Sequence, residues 1–268
     1  MKLSVLGCCG GIGDGRATTA FLLNDEVLID AGTGVAGLSP AQLCAINHVV
    51  LTHAHMDHIA NLPMLVDARH DAFVRGEVPA LSVHASASTL QALREHVFNG
   101  VIWPDFTRLP RASAPSLRWR PLQPEQRWCL AGLMFEAVQV AHPPQGLGFI
   151  VSCDRAVMAF SGDTTSNSTF WEALNRCERL DFLVVECAFP DAAYDLARAS
   201  HHYCPQLLAQ DLRQLRHRPR LGLTHFKPMH EATLLEECTQ ALAGWDWEVL
   251  QTGQTFVLHD HLGSLMVA

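Results

Sequence analysis

The fold and chemistry of this chain turn on residues 48–58, His48-Val49-Val50-Leu51-Thr52-His53-Ala54-His55-Met56-Asp57-His58. The run 48–52 is short, apolar and β-branched, as a buried strand requires. An apolar series, Ile59, Leu62, Leu65 and Val66, then continues at helical spacing and predicts a helix over 57–69. Three histidines and an aspartate therefore fall between a strand and a helix. Residues i and i+2 of an extended stretch share a face, so His53 and His55 can serve one metal. The helix start turns Asp57 and His58 towards a second position. Imidazole and carboxylate suit zinc, iron or manganese. A merely structural cluster of three packed imidazoles would repel itself on protonation.

Outward from this cluster the chain is strand-rich on both sides. Strands are predicted at 2–7, 18–23, 26–30 and 81–84, then at 133–141, 148–153, 157–161, 182–186, 221–224, 248–250 and 255–258. Helices are predicted at 87–96, 168–176, 205–216 and 231–243. Residues 97–124 hold Phe98, Trp103, Pro104, Phe106, Pro110, Pro115, Trp119, Pro121 and Pro124, which suits a packed irregular excursion. Two strand-rich halves with helices between them imply an α/β architecture of two face-packed sheets with helices outside. No linker or repeat interrupts 1–268, so a single domain is expected.

Composition narrows the function. Apolar residues make up 49% and charged residues 17%, enough for a core and unlike a disordered chain. The formal charge of −8 gives no general attraction for nucleic acid, which is disfavoured as a partner. Nine scattered cysteines without a C-x-x-C pair favour a reducing cytoplasm. Val5-Leu6-Gly7-Cys8 looks like a lipoprotein box, but about four apolar residues precede it where a signal needs roughly 7–15. No run has transmembrane length, so no membrane partner is expected. Gly10-Gly11-Ile12-Gly13-Asp14-Gly15 fails the dinucleotide spacing at Arg16 and reads as a turn. Arg213, Arg216, Arg218 and Arg220 read as a solvated helix end, and Cys8, Cys9, Cys153 and Cys187 as small apolar residues. His48, His70, His84, His96, His217, His230, His259 and His261 read as ordinary histidines.

The hexapeptide His53–His58 resembles the metal signature of the metallo-β-lactamase superfamily. That resemblance implies an αβ/βα four-layer sandwich of two packed mixed β-sheets. It also implies further ligands: His142 in Val140-Ala141-His142-Pro143, a bridging Asp163 in Ser161-Gly162-Asp163-Thr164, and His225 in Thr224-His225-Phe226. Asp30, in Leu28-Ile29-Asp30-Ala31-Gly32, matches the early strand-end aspartate that orients a ligand histidine. The implied cofactor is two divalent metal ions, with zinc favoured over manganese or iron. His53, His55 and His142 would hold one; Asp57, His58 and His225 the other.

A closer resemblance, spanning nearly the whole chain, is to the class II cyclic nucleotide phosphodiesterases. It rests on Asp30-Ala31-Gly32-Thr33-Gly34, on residues 96–106 (His-Val-Phe-Asn-Gly-Val-Ile-Trp-Pro-Asp-Phe), on Val185-Glu186-Cys187-Ala188-Phe189 and on Ser200-His201-His202-Tyr203-Cys204-Pro205. It implies hydrolysis of a 3′,5′-cyclic nucleotide, cAMP-like, to the 5′-nucleotide by a metal-bridging hydroxide. Asp57, Glu186 and His202 are the implied catalytic residues, with His202 as proton donor held by Glu186. His201 is an extra histidine beside the expected one. Phe98, Trp103 and Phe106 would stack a purine or wall the pocket. A homodimer is a weaker expectation. The enzymatic alternative is a tRNA 3′-processing nuclease with a similar site, disfavoured by the charge and by the lack of a basic glycine-rich arm. A non-catalytic scaffold should have lost ligands, and none is missing.

Overall fold

The computed structural model describes residues 1–258 and the strand Met266–Val267, so His259 and His261 lie outside the described residues. The strands are β1 (Lys2–Gly7), β2 (Ala20–Leu23), β3 (Val27–Ile29), β4 (His48–Val50), β5 (Leu81–Ser86), β6 (Pro110–Arg111), β7 (Ala114–Pro115), β8 (Leu117–Leu122), β9 (Arg127–Leu130), β10 (Leu133–Gln139), β11 (Leu147–Cys153), β12 (Ala156–Phe160), β13 (Phe182–Glu186), β14 (Arg220–Thr224), β15 (Trp247–Val249), β16 (Thr255–Val257) and β17 (Met266–Val267). The helices are α1 (Pro40–Ala45), α2 (Met56–Ile59), α3 (Leu62–Val74), α4 (Ala87–His96), α5 (Ser168–Arg176), α6 (Tyr194–Ala199), α7 (Pro205–Leu212) and α8 (Glu231–Ala241).

They form two large mixed sheets and one small ribbon. The first runs β17-β16-β1-β2-β3-β4-β5-β8 and the second β15-β14-β13-β12-β11-β10-β9. Each passes from antiparallel to parallel pairing. In the first the change comes at β3–β4, in the second at β12–β13. The sheets face each other across a core that includes Leu3, Val5, Phe21, Ile29, Phe135, Phe149, Phe160 and Phe182. Phe21 of one sheet meets Phe160 of the other edge-on at 5.1 Å, and Phe182 meets Phe256 at 4.9 Å. A second core, with Leu28, Val49 and Val83, packs against Leu62, Leu65 and Leu90 of α3 and α4. A third joins Leu183, Val185 and Leu221 to Trp171, Leu208 and Leu234 of α5, α7 and α8. These three cores between four layers are the αβ/βα sandwich.

Three local expectations need correction. The helix expected over 57–69 is two, α2 and α3. Pro63 sits in the first turn of α3, where it can donate no backbone bond to a preceding turn, so the helix restarts there. The excursion 97–124 contains a six-residue strand, β8, parallel to β5 at the sheet's edge. Pro121 hid it, and an edge strand is where a proline is tolerated. The hairpin β9–β10 and the short helices α1 and α6 were also unforeseen. Phe160 fills the inter-sheet core at 1% exposure. Phe160→Ala is expected to cost about 3–5 kcal/mol in chemical denaturation, with Phe160→Leu clearly milder.

Candidate metal centre

Open sheets of this kind build sites outside the carboxyl ends of their parallel strands. Here Asp30 follows β3, Thr52 and His53 follow β4, Asp163 follows β12, Glu186 ends β13 and His225 follows β14. The backbone turns sharply at three of these points. Asp30, Gly162 and His225 have φ of 55°, 60° and 68°. The left-handed region is uncommon for residues other than glycine, though Asp and His enter it more readily than most, and it holds these side chains out of the strand direction. A side chain at Gly162 would also put its Cβ 2.9 Å from the Leu147 carbonyl and from Thr52 Cγ2.

The structure brings together all seven residues read as ligands. His53, His55, His142 and Asp163 form one group, and Asp57, His58, Asp163 and His225 another. In each, the candidate ligand atoms lie within 4.8 Å of one another. Asp163 belongs to both: its carboxylate is 3.2 Å from His58 Nε2, 3.8 Å from His53 Nε2 and 3.3 Å from His225 Nδ1. A third group, Asp163, Glu186 and His202, adjoins them.

The donor set fits divalent cations. His53 Nε2 is buried and has no hydrogen-bond partner, an arrangement that costs about 1–3 kcal/mol if nothing fills it, and the buried His58 Nε2 has the Asp163 carboxylate beside it, at 3.2 Å. Burial holds His53 well below the ordinary histidine value, and takes His142 to about 4 and His225 to about 3, so these imidazoles keep free lone pairs at neutral pH. Burial opposes charge on His58, but Asp163 and Asp30 on its two nitrogens outweigh it and push its pKa well up. That balance favours positive charge at His58 Nε2. Burial likewise opposes ionisation of Asp163, and the surrounding imidazoles, His225 and His58 foremost, hold it well below the carboxylate range.

The supporting bonds set the tautomers. Asp30, fully buried, accepts from the Thr52 backbone N–H and hydroxyl, both at 2.8 Å, and from His58 Nδ1 at 2.7 Å. The Thr52 oxygen lies 3.0 Å from His53 Nδ1. One carboxylate thus orients a histidine of each group, presenting both Nε2 atoms to Asp163. His142 Nδ1 donates to the His201 carbonyl at 3.0 Å, which turns its Nε2 inward, 3.1 Å from His55 Nδ1.

The two adjacent histidines part company. His202 Nδ1 meets Glu186 Oε1 at 2.7 Å, and its ring lies 5.0 Å from His142 and 5.3 Å from His225. Glu186 also accepts from the Thr164 and Tyr203 amides. Burial pulls His202 down, but Glu186 overcomes it and raises its pKa; burial raises Glu186 too. His201, at φ 59°, serves the site through its carbonyl. Of the aromatic candidates, Phe98 and Phe106 are core residues at 3% and 2% exposure, packed on Trp119 and His70. Neither leaves a ring face open for a purine, which corrects that expectation. Trp103 is half-buried beside the same core. Thr52, the His201 carbonyl and Gly10 were missed from sequence. Gly10 touches the site because a Cβ there would sit 2.6 Å from the His225 carbonyl. Within the basic run, Arg220 pairs with Glu248 at 2.6 Å and Arg218 lies over Trp245, while Arg213 is the exposed C-cap of α7.

The profile of a family described as "Beta-lactamase superfamily domain" matches residues 25–240. The chain belongs to the metallo-β-lactamase superfamily. A probable 3′,5′-cyclic-nucleotide phosphodiesterase of Yersinia pestis is 25% identical over 85% of this chain and 78% of its own length. The unliganded structure of yeast PDE1 superposes with a TM-score of 0.77 at 18% identity, covering 96% of this chain and 99% of that one. The short form of human tRNase Z (ELAC1) gives 0.69 at 19%, covering 96% and 99%. These two structures establish likeness of fold.

Because Asp30 supports both groups of this superfamily site, Asp30→Asn should weaken metal retention by about 10–100-fold. Chelator competition measures it, and Asp25→Asn, at an exposed pair with Lys2, should leave it unchanged.

Proposed function

We propose that the chain is a dinuclear metal-dependent phosphodiesterase acting on 3′,5′-cyclic nucleotides. The observation that carries this reading is the Glu186–His202 pair, buried and 2.7 Å apart, set against two ligand groups that share Asp163. The likeness to the Yersinia pestis protein and the motifs at 96–106 and 200–205 favour a cyclic nucleotide. His53, His55 and His142 would hold one ion, Asp57, His58 and His225 the other, with Asp163 between them and zinc the preferred metal. When bound, the pair supplies an activated water and positive charge for the phosphoryl oxygens.

The chain's own residues then handle the proton. The leaving group of a cyclic 3′,5′-diester is a ribose alkoxide, which departs poorly without protonation. His202, kept protonated by Glu186, gives its Nε2 proton to that oxygen. Glu186 is fixed by two backbone amides, so the imidazole keeps one orientation. Asp57 is the most open of the carboxylates, with a side chain 26% exposed, and faces the incoming water from the second group. Trp103, partly buried beside the core that holds Phe98 and Phe106, is proposed as a substrate neighbour on the resemblance of residues 96–106 alone. The tRNA-processing alternative draws on the human tRNase Z likeness, but a charge of −8 supplies no general pull on RNA. Nine free thiols suit a reducing cytoplasm, and no helix among the described residues is long and apolar enough to cross a membrane. A homodimer is proposed on the resemblance alone.

Metal-loaded protein assayed against cAMP, a 2′,3′-cyclic nucleotide and pre-tRNA decides between the readings. Turnover of pre-tRNA alone would overturn the cyclic nucleotide assignment. His202→Ala should lose about 10²–10⁴-fold in kcat on cAMP while keeping its metals. The loss should shrink on an aryl diester, whose phenol leaves without a proton. Loss of metal from His202→Ala would refute the proton-donor role. Asp163→Ala should lower occupancy of both positions, and elemental analysis giving one ion or fewer per wild-type chain would refute a dinuclear centre.

A further inference from the structure

Lysine is scarce here: the sequence holds only Lys2 and Lys227. Lys2 lies far from the site, paired with Asp25 at 2.6 Å. Lys227 is half-buried two residues after His225. Its ammonium donates to the Gly10 carbonyl at 2.9 Å and lies 3.4 Å from His225 Nε2. Those are its partners among the described residues, and neither is a carboxylate. An ammonium pulled partly from water without a counter-ion is costly, and an anion is what it lacks. The same His225 nitrogen is 3.8 Å from Asp57, so the ammonium sits beside the second ligand group.

The tether is built into the backbone. Gly10 N–H bonds the Phe226 carbonyl, and His225 N–H bonds the Cys8 carbonyl, so residues 8–10 and 225–226 run side by side. Gly10 approaches His225 so closely that no side chain fits there. Lys227 is therefore carried by the strand-end turn that carries His225, with its ammonium held beside that histidine.

We propose that Lys227 is the anion-binding residue of this site, taking a non-bridging oxygen of the substrate phosphoryl group in a charge-assisted hydrogen bond. This rests on the phosphodiesterase reading for the identity of the substrate but not for the binding of an oxyanion. Lysine meets that oxygen as a single point charge with rotatable donors, so it fits a diester, with one unit of negative charge to neutralise, without demanding a fixed planar geometry.

The test uses metal-loaded protein and inorganic phosphate as probe. Calorimetry should show phosphate bound about 10-fold or more weakly by Lys227→Gln, with Lys227→Arg recovering most of the loss and metal content unchanged. On cAMP the Gln variant should raise KM more than it lowers kcat. In the unaltered protein, phosphate should slow acetylation of Lys227 and not of Lys2, read by mass spectrometry, which needs no variant to fold. Unchanged phosphate affinity, or equal protection of both lysines, overturns the proposal. So does loss of metal or a fall in Tm that accounts for the weaker binding, since either makes Lys227 a structural tie to Gly10. Phosphate binding that depends on Lys227 in a protein that hydrolyses no phosphodiester would keep this inference and sink the phosphodiesterase reading. Hydrolysis of cAMP that is indifferent to Lys227 would do the reverse.

Discussion

The Asp30 carboxylate is the constraint on which the rest of the site depends. It is fully buried, where burial raises its pKa, and three donors from Thr52 and His58 surround it. Its two oxygens are spent on different tasks. One fixes the Thr52 backbone at the end of β4; the other takes the Thr52 hydroxyl and His58 Nδ1. Thr52 passes the orientation on to His53. A histidine of each ligand group is thus aimed by one residue on a neighbouring strand. Removing the carboxylate would free both rings, whereas removing a single ligand frees one.

The two sheets contribute in complementary ways. The first supplies His53, His55, Asp57 and His58 from one strand–helix junction. The second supplies Asp163, Glu186 and His225 from three successive parallel strands, β12, β13 and β14. The Phe21–Phe160 contact clamps the sheets just below the site. The left-handed turns at Asp30 and His225 cost backbone strain, offset by the packing beneath them, while Gly162 makes its turn without that cost. They are what turns side chains out of the strand direction and into the crevice between the sheets.

How much of this was legible in the sequence depends on whether the signal was local. Strands β13 and helices α4 and α5 fall where periodicity put them, because each is a complete apolar pattern bounded by polar residues or a cap. The cluster His53, His55, Asp57 and His58 was readable because four candidate ligands fall within six residues, whereas His142, Asp163 and His225, which the structure brings beside it, were pointed to only by the family resemblance. Strand β8 was hidden because Pro121 contradicts a strand in any context except an edge, and edge position is a tertiary fact. The roles of Phe98 and Phe106 were misread for the same reason: an aromatic residue in a proline-rich stretch looks the same whether it lines a pocket or fills a core. His201 was ambiguous because its contribution is a carbonyl oxygen, which every residue possesses. Only the left-handed turn, which aims that carbonyl at His142 and the next side chain at Glu186, separates it from His202.

Charge connects these elements to the order of events at the site. Asp57, Asp163, Glu186 and Asp30 place four carboxylates among imidazoles of which burial holds His53, His142 and His225 neutral, while Asp163 and Asp30 push His58 towards its charged form, in a chain that is already acidic overall. Before cations arrive such a crevice repels anions, and Coulomb interactions there are strong because the groups are shielded from water. The protonated His202 is balanced by Glu186 and leaves no net positive charge. Lys227 and a charged His58 offset part of the remainder. Cations in the ligand groups would therefore favour entry of an anionic diester, because the carboxylates that disfavour an anion in the bare protein are the ones that would hold those cations.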